Sequence, residues 1–289
     1  MFLDYGGKMR KFKYLLATGL ISAALLVGCG SESDKKDSAK DLTPKEFFEE
    51  IQNSAQKDVK SAEYEMSAKI DVEGANEDSS ISGDAKIKGD FDIDSGSVHM
   101  NISGSLMEKF LQQSSIDGYL TIEDTEGTVY LSMDNGPWAK KSVDVSDYIN
   151  QISNLIMETP ADGNTDFDAD EALKFLKDTK VKSDDDGYTF TGTMDIDKIF
   201  DYMKSEGVDE DEIAEYKEVI KGLNLKLSIT VDNDFAFTAF EMSVKDFEIP
   251  LMGQSLKINE ATIGFKLTMS SESKKITIPD EALNATSLD

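Results

Sequence analysis

The sequence predicts an α+β protein: a large curved antiparallel β-sheet (open half-barrel) with helices packed on its concave face. Three observations predict it. Apolar residues recur at every second position through residues 61–141 and again through 223–279. Between these stretches the apolar spacing lengthens to that of helices. Ahead of them, Thr43-Pro44-Lys45-Glu46 is a helix start. No linker-like stretch follows residue 42, so both strand-rich stretches are expected in one domain, 43–289.

The elements follow in order. Thr43 can cap, Pro44 suits the first turn and Glu46 completes a capping box. Phe47, Phe48, Ile51, Ala55 and Val59 then recur at helical spacing, which predicts an amphipathic helix over 44–59. Tyr64, Met66, Ala68, Ile70 and Val72 alternate with polar residues. So do Ile81, Gly83, Ala85, Ile87, Gly89, Phe91 and Ile93, followed by Val98, Met100 and Ile102. Such alternation describes an antiparallel meander with one apolar and one solvated face. Gly83 and Gly89, on the apolar phase, would ease a bend. Residues 128–133 and 138–141 form a hairpin around Asn135-Gly136, a tight-turn signal.

Val145, Tyr148, Ile149, Ile152, Leu155 and Ile156 predict a second helix, followed by an acidic loop over 159–170 and a short helix carrying Ala172, Leu173, Phe175 and Leu176. Residues 188–194 read as a strand. Helices follow with Ile196, Ile199, Phe200 and Met203, then with Ile213, Tyr216, Val219 and Ile220 up to Gly222. Strands are expected over 223–232, 235–248, 255–270 and 274–278, with Asp232-Asn233-Asp234 as the first turn.

Composition bounds the function. Hydrophobic residues make up 39% of 289, enough for a core, and the formal net charge is −27. Arg10 is the sole arginine. So acidic a surface repels phosphate polymers, and nucleic-acid partners are not expected. Cys29 is the lone cysteine and His99 the lone histidine, which excludes an internal disulfide and multi-histidine metal sites within one chain. His99 falls on the polar phase of its strand and reads as an exposed, idle side chain.

The amino terminus reads as an address. Lys8 to Lys13 is cationic, with Met9 a plausible start, and residues 14–28 are apolar or small. Fifteen residues fall short of a hydrocarbon core about 30 Å thick. A cationic start with a short apolar run is a secretory signal. It closes on Leu26-Val27-Gly28-Cys29, which resembles the lipobox of bacterial lipoproteins. That resemblance implies cleavage between Gly28 and Cys29 and diacylglycerol on the Cys29 sulfur. Acylation of the new amino group is usual. The expected layout is a signal peptide over 1–28, lipidated cysteine and tether over 29–42, and a body on the extracytoplasmic face of the cell membrane. Residues 30–41, GSESDKKDSAKD, are polar and suit a flexible tether.

The lipobox, the opening helix, the long early strands, the hairpin GTVYLSMDNGPWAKKSV and the stretch Lys274-Ile276-Ile278-Pro279 together resemble the superfamily of lipoprotein carriers and mycobacterial lipid-binding lipoproteins (LolA/LppX-like). More closely, they resemble a Gram-positive lipoprotein family, the DUF6612-like proteins. The resemblance implies a half-barrel roofed by helices around an apolar cavity for acyl chains, and it brings no catalytic residues.

The function expected is therefore non-covalent sheltering of an apolar or acylated ligand (lipid, glycolipid or lipoprotein acyl chain) between sheet and helices, with no cofactor and no catalysis. Phe91, Met100, Tyr130, Trp138, Phe200 and Phe240 are the candidate lining. The alternative is a structural or interaction module of the cell envelope with a filled core and a protein partner. Asp162, Asn164, Asp166, Asp168 and Asp170 alternate as in a calcium loop, but Phe167 and Leu173 stand where glycine and glutamate are needed. Asp184-Asp185-Asp186-Gly187 reads equally well as a hairpin turn. No nucleophile-elbow, HExxH or P-loop motif appears.

Overall fold

In a computed structural model, the described residues are 41–54, 59–74, 80–123, 126–146, 169–251 and 254–288. All but the first two residues of the expected helix over 145–156, most of the acidic loop, and the signal and lipobox residues lie outside them. Helix α1 (Pro44–Asn53) starts on the expected capping box: Glu46 N–H donates to Thr43 Oγ1 (3.2 Å) and Thr43 N–H donates to the Glu46 carboxylate (2.8 Å). It ends at Asn53, earlier than the apolar spacing suggested.

Three strands follow: β1 (Ser61–Glu73), β2 (Ile81–Asp92) and β3 (Ser97–Ser103). Then come helix α2 (Ser105–Leu111), β4 (Ser115–Glu123), β5 (Glu126–Met133) and β6 (Ala139–Asp144). Helix α3 (Ala169–Lys174), β7 (Leu176–Asp184) and β8 (Gly187–Met194) lead to helices α4 (Ile196–Ser205) and α5 (Glu210–Ile220). The chain closes with β9 (Leu225–Asp232), β10 (Phe237–Leu251), β11 (Gln254–Ser270), α6 (Asp280–Leu283) and β12 (Thr286–Ser287).

All twelve strands form one unclosed sheet in the order β12-β6-β5-β4-β3-β2-β1-β11-β10-β9-β8-β7. Every neighbouring pair is antiparallel except β12 beside β6. The half-barrel expectation therefore holds. The two strand-rich stretches meet at its centre, where β1 pairs with β11 over Ser61↔Ser270 to Glu73↔Lys257.

Directly paired residues share a face. Through Ile87↔Met66↔Phe265↔Phe240↔Ile229↔Phe190, one face is apolar across the sheet. The helices pack on that face at the β7–β10 side. Phe47, Phe48 and Ile51 of α1, with Ile199, Phe200 and Met203 of α4 and Ile213 of α5, form a buried block with Phe190, Leu227, Ile229 and Val231. Phe190 is its pivot: it is fully buried, stacks on Phe47 (centroids 5.7 Å) and meets Phe48 edge-on (4.9 Å).

Two glycines make room rather than merely easing a bend. A Cβ on Gly89 would stand 2.5 Å from the Tyr64 hydroxyl, and one on Gly83 would stand 2.9 Å from Leu106, through which α2 lies on β2. The hairpin turn sits one residue earlier than Asn-Gly implied: Asp134 and Asn135 take the positive φ values, 52° and 56°, and Gly136 N–H donates to Met133 O.

The expected strand over 274–278 is instead an unpaired strap. It leaves β11 and crosses the polar face. Ser61 Oγ donates to Glu272 O (2.7 Å), and Ser273 Oγ donates to the buried Asp92 carboxylate (2.8 Å). At its far end α6 packs on β5 and β6, Lys140 Nζ donates to Leu283 O (2.8 Å), and β12 adds to β6. The alternating Ile276 and Ile278 suit docking from above as well as strand pairing, which is why the pattern misled.

Candidate functional site on the two faces of the sheet

The apolar face extends well beyond the helical block. On β1–β3 it continues through Met66, Ile87, Met100 and Ile102, on β4 and β5 through Ile116, Leu120, Val129 and Leu131, and on β11 through Ile263. Met66 is 43% exposed and Ile263 52%. Helix α2 lies against β2, whereas α1 and α3 lie against β7 and α5 against β10. The result is a trough floor of aliphatic and thioether side chains beside a packed block.

Against this frame the six expected lining residues separate. Phe91, Met100 and Phe240 share the apolar face, since Phe91 pairs with Ala62 and Val98, Met100 with Gly89 and Gly118, and Phe240 with Phe265 and Ile229. Phe200 is 4% exposed within the helical block, under the Lys217 ammonium 5.2 Å from its ring, and is core rather than lining. Tyr130 and Trp138 belong to the other side. Tyr130 pairs with Tyr119, which pairs with His99 on the polar phase, and the Trp138 ring lies 5.7 Å from Tyr119. Large aromatic rings marked these two, but on β5 the apolar phase is carried by Val129 and Leu131, which puts Tyr130 on the other side.

The polar face holds the second constellation. His99 is not idle. Its Nε2 lies 2.9 Å from the Asp117 carboxylate and its Nδ1 3.3 Å from Asp90, while its ring stacks on Tyr119 (4.6 Å, 25°). Lys274 of the strap bridges Asp90 (2.8 Å) and Glu63. Burial pushes the Asp90 carboxyl up, but the hydrogen bonds from Lys274 and His99 outweigh it and hold it below the usual range. Burial, with Asp117 and Asp90 alongside, pushes the Tyr119 phenol up. Next along the face, hydrogen bonds from Lys86 and Lys88 lower Glu65, and those from Lys69 and Lys245 hold Glu260 at about 2.

A recess of about 330 Å³ opens here, lined in part by Glu63, Glu65, Lys88, Asp90, His99 and Lys266. Its ionisable residues are mostly paired with one another, and Tyr64, Gly89 and Thr268 complete the lining. The constellation is an ion-pair ladder with no serine, threonine or cysteine nucleophile paired to His99 in it. The sequence missed this ladder because its members come from five separate segments, β1 to β4 and the strap; the polar phase of β2, β3 and β4 was the available signal.

Of the calcium-loop residues, Asp162, Asn164, Asp166 and Asp168 lie outside the described residues, and Asp170 pairs with Lys45. Asp184 to Gly187 is the β7–β8 turn, where Asp184 Oδ1 accepts from the Asp186 and Gly187 amides (3.0 Å each). Among the described residues, no group of three or more His, Cys, Asp or Glu is placed to hold a metal ion. No helix among them is long and apolar enough to cross a membrane.

Comparison with known proteins identifies the family. The family described as "Family of unknown function (DUF6612)" matches residues 43–287, and the chain belongs to it. No curated protein matches. Among solved structures, a β-barrel-like protein of the domain of unknown function DUF1849 from Brucella abortus is 11% identical; the match covers 73% of this chain and 98% of that one, with a TM-score of 0.22. A structure of PNGF-II is 9% identical, over 80% of this chain and 31% of that one, with a TM-score of 0.21. At such scores neither likeness carries an argument about what this chain does.

Proposed function

We propose that this member of the DUF6612 family is a lipoprotein held through Cys29 at the extracytoplasmic face of the cell membrane, and that it binds an apolar or acylated ligand on the open part of its apolar sheet face. The observation that carries the reading is the continuation of that face past the helical block, with Met66 and Ile263 about half exposed on neighbouring strands. Binding is non-covalent. Each Å² of apolar surface removed from water contributes roughly 25 cal/mol, so an acyl chain laid along the trough needs no cofactor and no reacting group. Methionines at positions 66 and 100 suit an irregular apolar guest.

Native mass spectrometry of the soluble chain from Gly30 onward, expressed in a bacterial host, tests the reading. Co-purifying lipid, displaced by Ile263→Asp, supports it. A clean apo mass, with no fluorescence gain from a lipophilic dye, rejects it. That outcome favours the second reading, an envelope interaction module with a protein partner, for which the filled block around Phe47, Phe190 and Phe200 speaks. Mass spectrometry of the mature amino terminus tests the anchor separately: a diacylglyceryl group on Cys29 supports it, and an unmodified peptide rejects it.

A further inference from the structure

We propose that one end of the sheet rests on the lipid surface, with Phe110 and Leu111 of α2 entering the headgroup layer; this rests on the anchor at Cys29 proposed above. The register defines that end. The Glu73 end of β1 lies beside Lys257 of β11, and the neighbouring Val72 beside the first residue of β2, Ile81. Here too lie the β3–β4 connection that carries α2, the end of β5, and the Leu251↔Gln254 pair closing β10 on β11.

The chemistry of this end differs from the rest of an acidic protein. Phe110 is 62% exposed and Leu111 58%. Helix α2 docks through Leu106 and the buried Met107, while its two last apolar side chains are left mostly in the open. Lys109 of the same turn donates to Ser80 O (3.2 Å), which turns its cation towards the protein. Met133, half exposed, ends β5 at the same level, where it pairs with Ile116. Two adjacent large apolar side chains at a helix end, with the lysine of the same turn held to the protein, suit a neutral interface more than an anionic one.

The tether joins at this same end. Lys45 in the first turn of α1 pairs with Asp170 of α3, which leads directly into Leu176 at the start of β7, and Leu176 pairs with Met194 on the row that runs through Leu225 towards this end of the sheet. Residues 30–40 reach at most about 40 Å when extended. A lipid on Cys29 therefore keeps the α1 entry, and the end of the sheet that carries it, near the bilayer. Tethering raises the effective concentration to the millimolar range, so weak insertion of two side chains is enough to orient the body. The net charge of −27 opposes approach to anionic headgroups, so neutral lipid is the preferred surface.

The test uses the full mature lipoprotein reconstituted in phosphatidylcholine vesicles. Because lipidation consumes the one native thiol, Phe110→Cys and, separately, Ile93→Cys each provide a single labelling site for a nitroxide. Ile93 is also exposed but lies in the β2–β3 turn at the opposite end. The expected result is a collision rate with a water-soluble nickel chelate about threefold or more lower at 110 than at 93, with the difference shrinking when anionic lipid is mixed in. Equal, water-like rates at the two positions in protein whose Cys29 is shown to be lipidated overturn the docking and leave the anchor standing. An unmodified Cys29 overturns both. Phe110→Ser with Leu111→Ser is expected to leave the melting temperature within about 2 °C. A larger fall would assign these side chains to the fold and overturn the proposal.

Discussion

Lys274 Nζ lies 2.8 Å from the Asp90 carboxylate, although Asp90 belongs to the second strand, β2, and Lys274 to the strap leaving the last long strand. Lys274→Ala is expected to free the strap. Hydrogen exchange should quicken across residues 280–288, while global stability falls by no more than about 1 kcal/mol, because the lysine is half exposed and surface pairs contribute little. Unchanged exchange there would mean that Ser273 and Lys140 hold the strap by themselves.

The pH dependence has a definite sign. Asp90 and Glu260 are both held below their ordinary values, 3.8 and 4.5, so each contributes stability above that range and loses it as pH falls through its folded value, about 2 for Glu260. Lys274 is raised above 10.5 by Asp90 and Glu63, so its contribution is present below that value and disappears as pH rises through the folded one. Urea titrations of Glu260→Gln against the parent should therefore differ at pH 7 and converge towards pH 2. A constant gap across that range would show that Glu260 acts through packing and not through charge.

Gly83 sits under Leu106, and the crowding there involves side chains only. Gly83→Ala should destabilise the protein by about 1–3 kcal/mol through overpacking, and Leu106→Ala in the same chain should return part of that loss. Strict additivity of the two changes in a denaturation cycle would mean that α2 does not rest on this strand in solution.

Phe190 and Ile263 share the apolar face but not its role. Phe190→Ala should cost about 3–5 kcal/mol, because it removes the ring that Phe47 of α1 stacks on and Phe48 meets edge-on. Ile263→Ser, at a half-exposed position, should leave stability nearly unchanged and weaken binding of a lipophilic dye. If the two substitutions act alike in thermal melts, the trough floor is part of the closed core.

Much of the sheet was legible because one face is dry and the other wet, which writes a two-residue period into β1, β2, β3, β9, β10 and β11. Where that contrast fails, so does the reading. Strand β7, LKDTKVKSD, lies at an edge and is polar on both sides but for Leu176 and Val181. Strand β4 carries Gly118 where an apolar side chain was due and Tyr119 where a polar one was. Helix α2 has Gly104 before its first residue and no side-chain cap, so nothing announces its start. The site was harder still. His99 was readable as polar-phase, yet its partners Asp90, Asp117 and, through Asp90, Lys274 come together only when β2, β3, β4 and the strap are assembled.

The seam between β1 and β11 joins residues as far apart in sequence as Ser61 and Ser270, 209 positions apart. Closing so long a loop before its contacts can reward it makes assembly slow, and leaves the early meander with a raw hydrogen-bonding margin until nearly the whole polypeptide has been synthesised. A chain built this way stays open to other pairings until its last long strand is available, and completes its architecture only then.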